Sequence, residues 1–283
     1  MFFIYLYTKK IMKRLLALML LLALAACGRP APVAPDSAYR ETNYAKNGPR
    51  FKVLLLYDDS AEKAHVQFDH QAIAFFNKLT VGQGFIVDST QNLGAFSDEQ
   101  LKQYSVIVAL NAAPATDARP LFERYMENGG GWIGFHAAAY NDSRTNWPWY
   151  VRFLGGGVFK CNNWPLQPAL LELDRKDHPV TRNLPDAFVT PATEFYQWTP
   201  EPRLNPDVEV LVSLSPRNFP MGLKDIVYGG DFPVVWTNRN YRMLYINMGH
   251  GDEQFSDATE QLLFVNALQW IVSRAPDGNP LDK

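Results

Sequence analysis

A histidine that follows a glycine-rich strand is the residue of this chain best placed to do chemistry. His136 comes after a triple glycine and a short apolar run, and three alanines follow it. Small residues on both sides of a polar one are typical of a tight strand-to-helix turn, because bulky side chains would clash where the backbone reverses. Such a turn raises the polar side chain above the carboxyl edge of a sheet, where open α/β folds bind ligands. A histidine there indicates proton transfer or metal binding.

Two further titratable residues have surroundings suited to acid–base chemistry. His250 follows an apolar strand and stands between Gly249 and Gly251, so its ring has room to face the same edge. Glu194 lies among aromatic residues. Apolar neighbours raise the pKa of a carboxyl group toward the range that suits a general acid or base. We therefore predict His136, Glu194 and His250 as the catalytic residues.

The same three residues are an alternative set of metal ligands, since zinc and iron accept two histidines and a carboxylate. They come from distant segments without a short ligand spacing, so the sequence leaves the cofactor open, with a divalent metal as the alternative considered. Other polar and aromatic residues lie at or near strand ends. Each could instead have a purely structural role in a turn or in the core. From these we predict contact with a substrate for Asp58, His65, Asn111, Tyr140 and Trp236.

The elements that must position these residues alternate between strands and helices. Apolar runs at 51–57 and 105–110 are typical of strands covered on both faces. Apolar residues at helical spacing predict a helix over 66–79, and Ser97 with Gln100 predicts a capping box. The other predicted elements of this half are strands at 84–87 and 132–135 and a helix over 116–128. This order predicts an α/β fold with an open, mostly parallel sheet and helices on both faces.

The second half of the chain has a looser pattern. We predict a short helix at 146–153, strands at 169–173 and 208–214, a hairpin of 232–237 and 242–247, and a closing helix over 258–273. Turn residues between the last two strands favour the hairpin. The sequence has no internal repeat and no second domain boundary. This half is therefore predicted to contain a strand-rich segment inserted after the strand-to-helix turn at His136, which we call the elbow. We predict one domain over residues 50–275 and a short tail over 276–283.

The first residues have the pattern of an export signal. Four basic residues precede the apolar run 15–23, and two alanines stand before Cys27. This is the order of a secretory signal peptide, and the run is shorter than a membrane-spanning helix needs. The alanine–cysteine junction resembles a bacterial lipobox, which predicts a signal peptide over 1–26 and lipidation of Cys27. Proline and small polar residues over 27–49 predict a flexible tether. We therefore predict an envelope lipoprotein that faces the periplasm, with the lipid of Cys27 in the membrane.

Charge and cysteine content exclude several function classes. The signal segment contains four of the 27 basic residues and none of the 29 acidic ones, so the mature chain is acidic. No basic cluster remains that would follow a phosphate backbone, and nucleic acid is therefore not a predicted partner. Besides Cys27 the chain has only Cys161, which has no internal partner for a disulfide and no metal-ligand spacing around it.

Five short motifs occur in order along residues 51–272. They are GGWIGFHAA at 130–138, DHPVT at 177–181, TEFY at 193–196, PVVW at 233–236 and YINMGH at 245–250. Together they resemble the ThuA-like (trehalose utilisation) family, which has the class I glutamine amidotransferase-like fold, itself similar to flavodoxin. The resemblance places His136 where amidotransferases carry a nucleophilic cysteine, so glutamine hydrolysis is not expected. Thr193 stands where members often have an aspartate, and only Glu194 carries over.

The resemblance implies a role in disaccharide breakdown, alongside a sugar dehydrogenase. We therefore expect a small sugar as substrate, with His-based acid/base chemistry on an oxidised (3-keto) glycoside by a lyase or hydrolase, or isomerisation of a keto sugar. In this hypothesis His136 is the base, Glu194 or His250 the acid, and Trp236 a wall for the sugar. Two alternatives stay open: a sugar-binding lipoprotein without catalysis, and a metal-dependent glycoside hydrolase.

Overall fold

The computed structural model describes residues 50–81 and 83–274. The predicted signal peptide, lipidation site, tether and C-terminal tail lie outside the described residues and stay predictions. Within the described part of the chain, none of the helices is both long and apolar enough to cross a membrane.

The first half of the domain alternates strands and helices as predicted. Its strands are β1 (Lys52–Leu56), β2 (Ile86–Thr90), β3 (Val106–Leu110) and β4 (Gly131–Phe135), and its helices are α1 (Lys63–Leu79), α2 (Asp98–Leu101) and α3 (Arg119–Glu127). All five residues of β3 and of β4 are buried, as expected of apolar strands covered on both faces. Ser97 forms the predicted capping box with Gln100 at the start of α2.

The second half contributes mainly strands. These are β5 (Val158–Asn162), β6 (Gln167–Leu173), β7 (Ala187–Thr193), β8 (Tyr196–Thr199), β9 (Val208–Leu214), β10 (Pro233–Asn238) and β11 (Met243–Ile246). Helix α4 (Pro148–Leu154) precedes them, and α5 (Ala258–Ser273) closes the domain. Strands β10 and β11 form the predicted antiparallel hairpin, with Val235 opposite Ile246.

A nine-stranded sheet in the order β2-β1-β3-β4-β11-β10-β9-β6-β7 joins the two halves. The pairs from β2 to β11 are parallel, and those from β11 to β7 are antiparallel. Strands β5 and β8 pair in a separate two-stranded sheet. The predicted α/β fold with an inserted strand-rich segment is confirmed. The hairpin returns the chain beside β4, so the ends of β4 and β11 meet at one edge.

Helices cover both faces of the sheet and create two cores. One contains Phe68 of α1 and Phe264 of α5 against Val53 and Ile133. The other contains Phe122 of α3 and Phe153 of α4 against Leu54. Because adjacent residues of a strand point to opposite faces, Val53 and Leu54 belong to different cores.

Several predicted bounds shift by a few residues in the structure, and three strands were not predicted. Strand β2 spans Ile86–Thr90 rather than 84–87, and α1 begins at Lys63 rather than at residue 66, which places His65 in its first turn. Strands β5, β7 and β8 were not predicted. Their patterns mix exposed and buried residues, as in β5 with its exposed Lys160, and they lack the continuous apolar run of a central strand.

Candidate functional site

The elbow after β4 holds His136 in an unusual backbone conformation. Its φ of 44° lies in the left-handed region, which costs a residue with a side chain about 1–2 kcal/mol. Two contacts fix the residue there: the Tyr245 hydroxyl donates to the His136 carbonyl oxygen at 3.0 Å, and Nδ1 of the ring bonds the Asn247 carbonyl oxygen at 3.0 Å. A strained residue held from several sides is typical of functional positions.

Four side chains meet above this elbow. Each of them offers one nitrogen or oxygen atom that could bind a metal, and these four atoms all lie within 4.8 Å of one another; the residues are His65, His136, Glu194 and His250. The His65 ring centroid is 5.3 Å from that of His136 and 4.6 Å from that of His250. We call these four residues the His–Glu cluster. It contains all three residues predicted as catalytic, together with His65, which was predicted to contact substrate.

Both halves of the domain supply the cluster. His65 comes from the first turn of α1, His136 from the turn after β4 and His250 from the loop after β11. Glu194 lies in the link between β7 and β8, in the inserted segment. The site therefore forms at the carboxyl edge of β4 and β11, where the insertion packs against the parallel half of the sheet.

Hydrogen bonds define which nitrogen of two rings carries a proton. A carbonyl oxygen only accepts, so His136 Nδ1–H donates to Asn247 and the lone pair of the neutral ring lies on Nε2. That Nε2 faces Glu194 Oε2 at 3.1 Å. His250 Nε2–H donates to Glu62 Oε2 at 2.6 Å, which leaves the His250 lone pair on Nδ1, 3.6 Å from the same Glu194 oxygen.

Burial dominates the electrostatics of the cluster. Desolvation, reinforced by the charge of His250, lowers the pKa of His136 to about 3. Desolvation, together with repulsion from the rings of His136 and His250 when these are protonated, also lowers the pKa of His65 to about 3. Desolvation raises the pKa of Glu194, although the nearby histidines act in the opposite direction. Near neutral pH the rings of His65 and His136 are therefore uncharged, and each keeps a lone pair that can bind a cation or a proton.

Asn111 supports the elbow from below. Its side-chain NH₂ donates to Asp69 Oδ1 at 3.1 Å and to the Gly249 carbonyl oxygen at 2.8 Å, and its Oδ1 accepts from Ala137 N–H at 3.1 Å. It thereby joins the loops that carry His136 and His250. Because these bonds occupy its amide, Asn111 positions the cluster rather than presenting a free group to substrate.

The other residues predicted to contact substrate have different surroundings. Tyr140 is 37% exposed and lies 6.0 Å, between ring centroids, from Tyr196, which in turn packs on His136 at 4.0 Å. It borders the cluster from the surface. Asp58 accepts hydrogen bonds from the backbone N–H and the hydroxyl of Ser60, so it shapes the turn before α1.

The assignment of Trp236 as a wall for a sugar is wrong. This residue is only 1% exposed, and its indole N–H donates to the Leu154 carbonyl oxygen at 2.8 Å. Its ring packs on Trp198 and Tyr245 in the core beneath α4. Since β10 is a central strand with all six residues buried, the face of this tryptophan is not open to a ligand.

Sequence reasoning missed three residues that contact the cluster. Glu62 accepts from His250, Asn162 donates to Glu194 Oε1, and the Trp164 ring lies 6.0 Å from the His250 ring. Glu62 stands one helical turn before His65, and that spacing was an available signal. Asn162 and Trp164 had no such signal, because Asn162 ends the unpredicted strand β5 and Trp164 lies just after it.

Cys161 lies on β5 rather than at the elbow. Its thiol donates to Gln197 Oε1 at 3.4 Å, and partial burial raises its pKa. A raised thiol pKa reduces the thiolate fraction that a nucleophile needs. The elbow itself presents the His136 imidazole.

Comparisons with known proteins agree with this architecture. The family model for ThuA, described as trehalose utilisation, matches residues 52–271. A ThuA-like protein of Bacteroides uniformis has a crystal structure with 61% sequence identity and a TM-score of 0.81, over 83% of this chain and 96% of that one. A ThuA-like protein of Parabacteroides merdae, 18% identical over 83% of this chain and 92% of its own, shares the fold with a TM-score of 0.59. No curated protein matches the chain. The chain thus belongs to the ThuA family, and a carbohydrate-related role follows from that membership.

Proposed function

We propose that this protein is an envelope-anchored enzyme of disaccharide breakdown that acts on an oxidised (3-keto) glycoside. The observation that carries the proposal is the buried His–Glu cluster at the carboxyl edge of the sheet. Membership of a trehalose-utilisation family supports a disaccharide as the source of the substrate. A 3-keto glycoside is made from a disaccharide by oxidation, so the proposal implies a dehydrogenase that supplies this substrate.

The chemistry starts from the acidity that a ketone confers. A ketone at ring carbon 3 acidifies the hydrogen on carbon 2, so a nearby base can remove it. The electron pair left on carbon 2 forms a double bond to carbon 1, and the bond from carbon 1 to the glycosidic oxygen breaks. The departing oxygen then takes up one proton, which balances the elimination. Isomerisation of a keto sugar begins with the same proton removal.

We assign the proton transfer to Glu194 rather than to His136. His136 is 0% exposed, and its Nδ1 is committed to Asn247. The Glu194 side chain is 10% exposed and reaches both His136 and His250 through one oxygen. Asn162 holds its other oxygen, which fixes the direction of the carboxyl group. Glu194 accepts the carbon 2 proton and returns it to the departing oxygen, while Asn162 positions it.

The envelope location is part of this proposal. The lipobox-like junction at Cys27 supports a lipid anchor, and the proline-containing segment after it supports a tether. An enzyme held at the membrane on such a tether would meet sugars that enter the periplasm.

Turnover of two matched sugars tests the proposal. We expect the full chain, purified in detergent, to convert 3-keto-trehalose but not trehalose, as followed by NMR. Glu194→Gln should reduce the rate at least about 100-fold, since general acid–base catalysis contributes roughly 10²–10⁴-fold. The control is Glu253→Gln, which changes an exposed carboxylate. Saturable binding of 3-keto-trehalose without any product would contradict the proposal and identify a sugar-binding protein.

A further inference from the structure

We propose that His65, His136 and His250 bind a divalent transition-metal cation, with Glu194 at its fourth, exchangeable coordination position. The role of that cation in catalysis rests on the proposed function. The binding itself stands on the geometry of the His–Glu cluster alone.

In the His–Glu cluster, the ring nitrogens of His136 and His250 that carry lone pairs point at the carboxylate of Glu194. Three charged imidazolium rings with centroids 4.6–5.5 Å apart would repel one another, which disfavours the state in which all three are protonated. The bond to Asn247 then directs the His136 lone pair at Glu194. The bond to Glu62 directs the His250 lone pair at the same carboxylate. Acceptors that face acceptors leave a gap suited to a positive charge.

A proton shared between Glu194 and His136 would satisfy only one of these contacts. Within the described part of the chain, His65 Nε2 and His250 Nδ1 are both buried without a hydrogen-bond partner. An unsatisfied buried acceptor costs about 1–3 kcal/mol. A single cation at the centre would satisfy His65, His136 and His250 together, and a proton on Glu194 leaves two of them unpaired.

The outer contacts match those of metal-binding histidines. Such histidines donate their second ring N–H to a carboxylate or a backbone carbonyl, which fixes the ring and makes it a better ligand. His250 does so to Glu62 at 2.6 Å, and His136 does so to Asn247 at 3.0 Å. The two partner types expected of a metal site are therefore both present.

The spacing and the donor types indicate the class of cation. Zinc–nitrogen bonds of about 2.0–2.1 Å in tetrahedral geometry place neighbouring ligand atoms roughly 3.4 Å apart. Glu194 Oε2 lies 3.1 Å from His136 Nε2 and 3.6 Å from His250 Nδ1, which is the spacing of neighbouring ligand atoms, so it stands at the fourth corner beside the three histidine nitrogens. Imidazole nitrogens favour Zn²⁺ and similar transition metals over Mg²⁺ or Ca²⁺. A cation of this class polarises a ketone oxygen, which acidifies the neighbouring carbon–hydrogen bond.

Calorimetric titration of the chelator-treated full chain with Zn²⁺, in detergent and without sugar, tests the inference. We expect one Zn²⁺ per chain, and Co²⁺ bound in its place should give the visible absorption of a nitrogen-ligated ion. His65→Ala and His250→Gln should each weaken Zn²⁺ binding at least about 100-fold. Glu62→Gln should weaken it about 10–100-fold, as expected for an outer-shell carboxylate.

Two control variants distinguish the loss of a metal ligand from a general effect of substitution. His70→Ala changes an exposed histidine of the same helix as His65 and should leave Zn²⁺ binding unchanged. Glu194→Gln should keep Zn²⁺ binding within about tenfold while it reduces turnover at least about 100-fold, since three histidines hold the cation and an amide oxygen can take the fourth position. Wild-type Zn²⁺ affinity in His65→Ala and His250→Gln, or no Zn²⁺ binding by the wild type, would overturn the inference. Because no sugar is present, neither result depends on the proposed reaction.

Discussion

At the scale of single residues, the site depends on how tightly His136 is held. Its left-handed backbone is retained by Tyr245 and Asn247, and Asn111 binds the next residue of the turn. Gly249 packs against the same side chain with no room to spare. The strain of the turn is therefore offset by contacts that also fix the ring.

Gly249→Ala should disturb the site without touching a polar group of the His–Glu cluster. A methyl group at this position would lie 2.5 Å from His136 Cβ, which no real contact permits. We expect a loss of about 1–3 kcal/mol in the free energy of unfolding, as is usual for overpacking. Urea titration of the variant measures this loss.

Gly94→Ala is the matched control for that substitution. Its methyl group would lie 3.2 Å from Asn92 Oδ1, whose exposed side chain can turn away, and in ordinary contact with Asp117 Oδ2 at 3.5 Å and Ala118 Cβ at 3.7 Å. The free energy of unfolding should change by less than about 1 kcal/mol. Equal losses in the two variants would show that the contact with His136 is not what makes Gly249 necessary.

The site residues show what a sequence can predict at this scale. His136 and His250 could be predicted because each ends an apolar strand, and strand ends of one sheet share an edge. Trp236 could not be placed by type alone, because an aromatic residue serves a core as well as a sugar. Asn162 acts through a contact with Glu194, which no local pattern contains. Glu62 contacts His250 far along the chain, and its one-turn spacing from His65 was its local signal.

At the scale of elements, continuous apolar strands were predictable and mixed ones were not. Strands β1, β3 and β4 bury nearly every residue, so their patterns stand out. Strand β5 alternates irregularly and pairs with β8, more than 30 residues later, across a bulge. That pairing is decided by packing between distant segments. It also positions Asn162 against Glu194, which is why the polar environment of Glu194 was missed.

Helix α5 carries a buried carboxyl group that should make stability depend on pH. Glu260 is 0% exposed, and desolvation raises its pKa well above the usual value, with the Asp257 charge acting in the same direction. The folded chain therefore keeps this proton at pH values where the unfolded chain has released it. Stability from this residue is full below the unfolded pKa and falls as pH rises above it.

Glu260→Gln removes this dependence, because the amide does not titrate. As pH rises from 5 to 8, the free energy of unfolding of the wild type should fall relative to that of the variant. Urea unfolding at both pH values measures the change. Glu253→Gln, an exposed neighbour in sequence, serves as control. A difference between Glu260→Gln and wild type that is the same at pH 5 and pH 8 would contradict the account of α5.

At the scale of the whole molecule, the site lies where two kinds of sheet meet. The parallel half supplies His65, His136 and His250, and the inserted antiparallel segment supplies Glu194. The alternation of strands and helices predicts the first half from local pattern. The order of the added strands could not be predicted, because it depends on long-range pairing such as that of β9 with β6 and β10.

The proposed lipid anchor predicts the distribution of the protein between cell fractions. The wild-type chain should sediment with membranes and incorporate labelled fatty acid, whereas Cys27→Ser should do neither. Cys161→Ser removes the other cysteine and should behave like wild type. Fatty-acid labelling that persists in Cys27→Ser would argue against the lipoprotein.

Hydrogen exchange at carbon 2 of the sugar tests the central claim most directly, because it reports the proton transfer and not the later steps. The full chain is incubated with 3-keto-trehalose in D₂O, and the carbon 2 hydrogen signal is followed by NMR. We predict its loss with wild-type protein, at a rate above that in buffer, and retention with Glu194→Gln. Exchange at the wild-type rate in Glu194→Gln, or no exchange above buffer with wild type, would contradict proton transfer by Glu194.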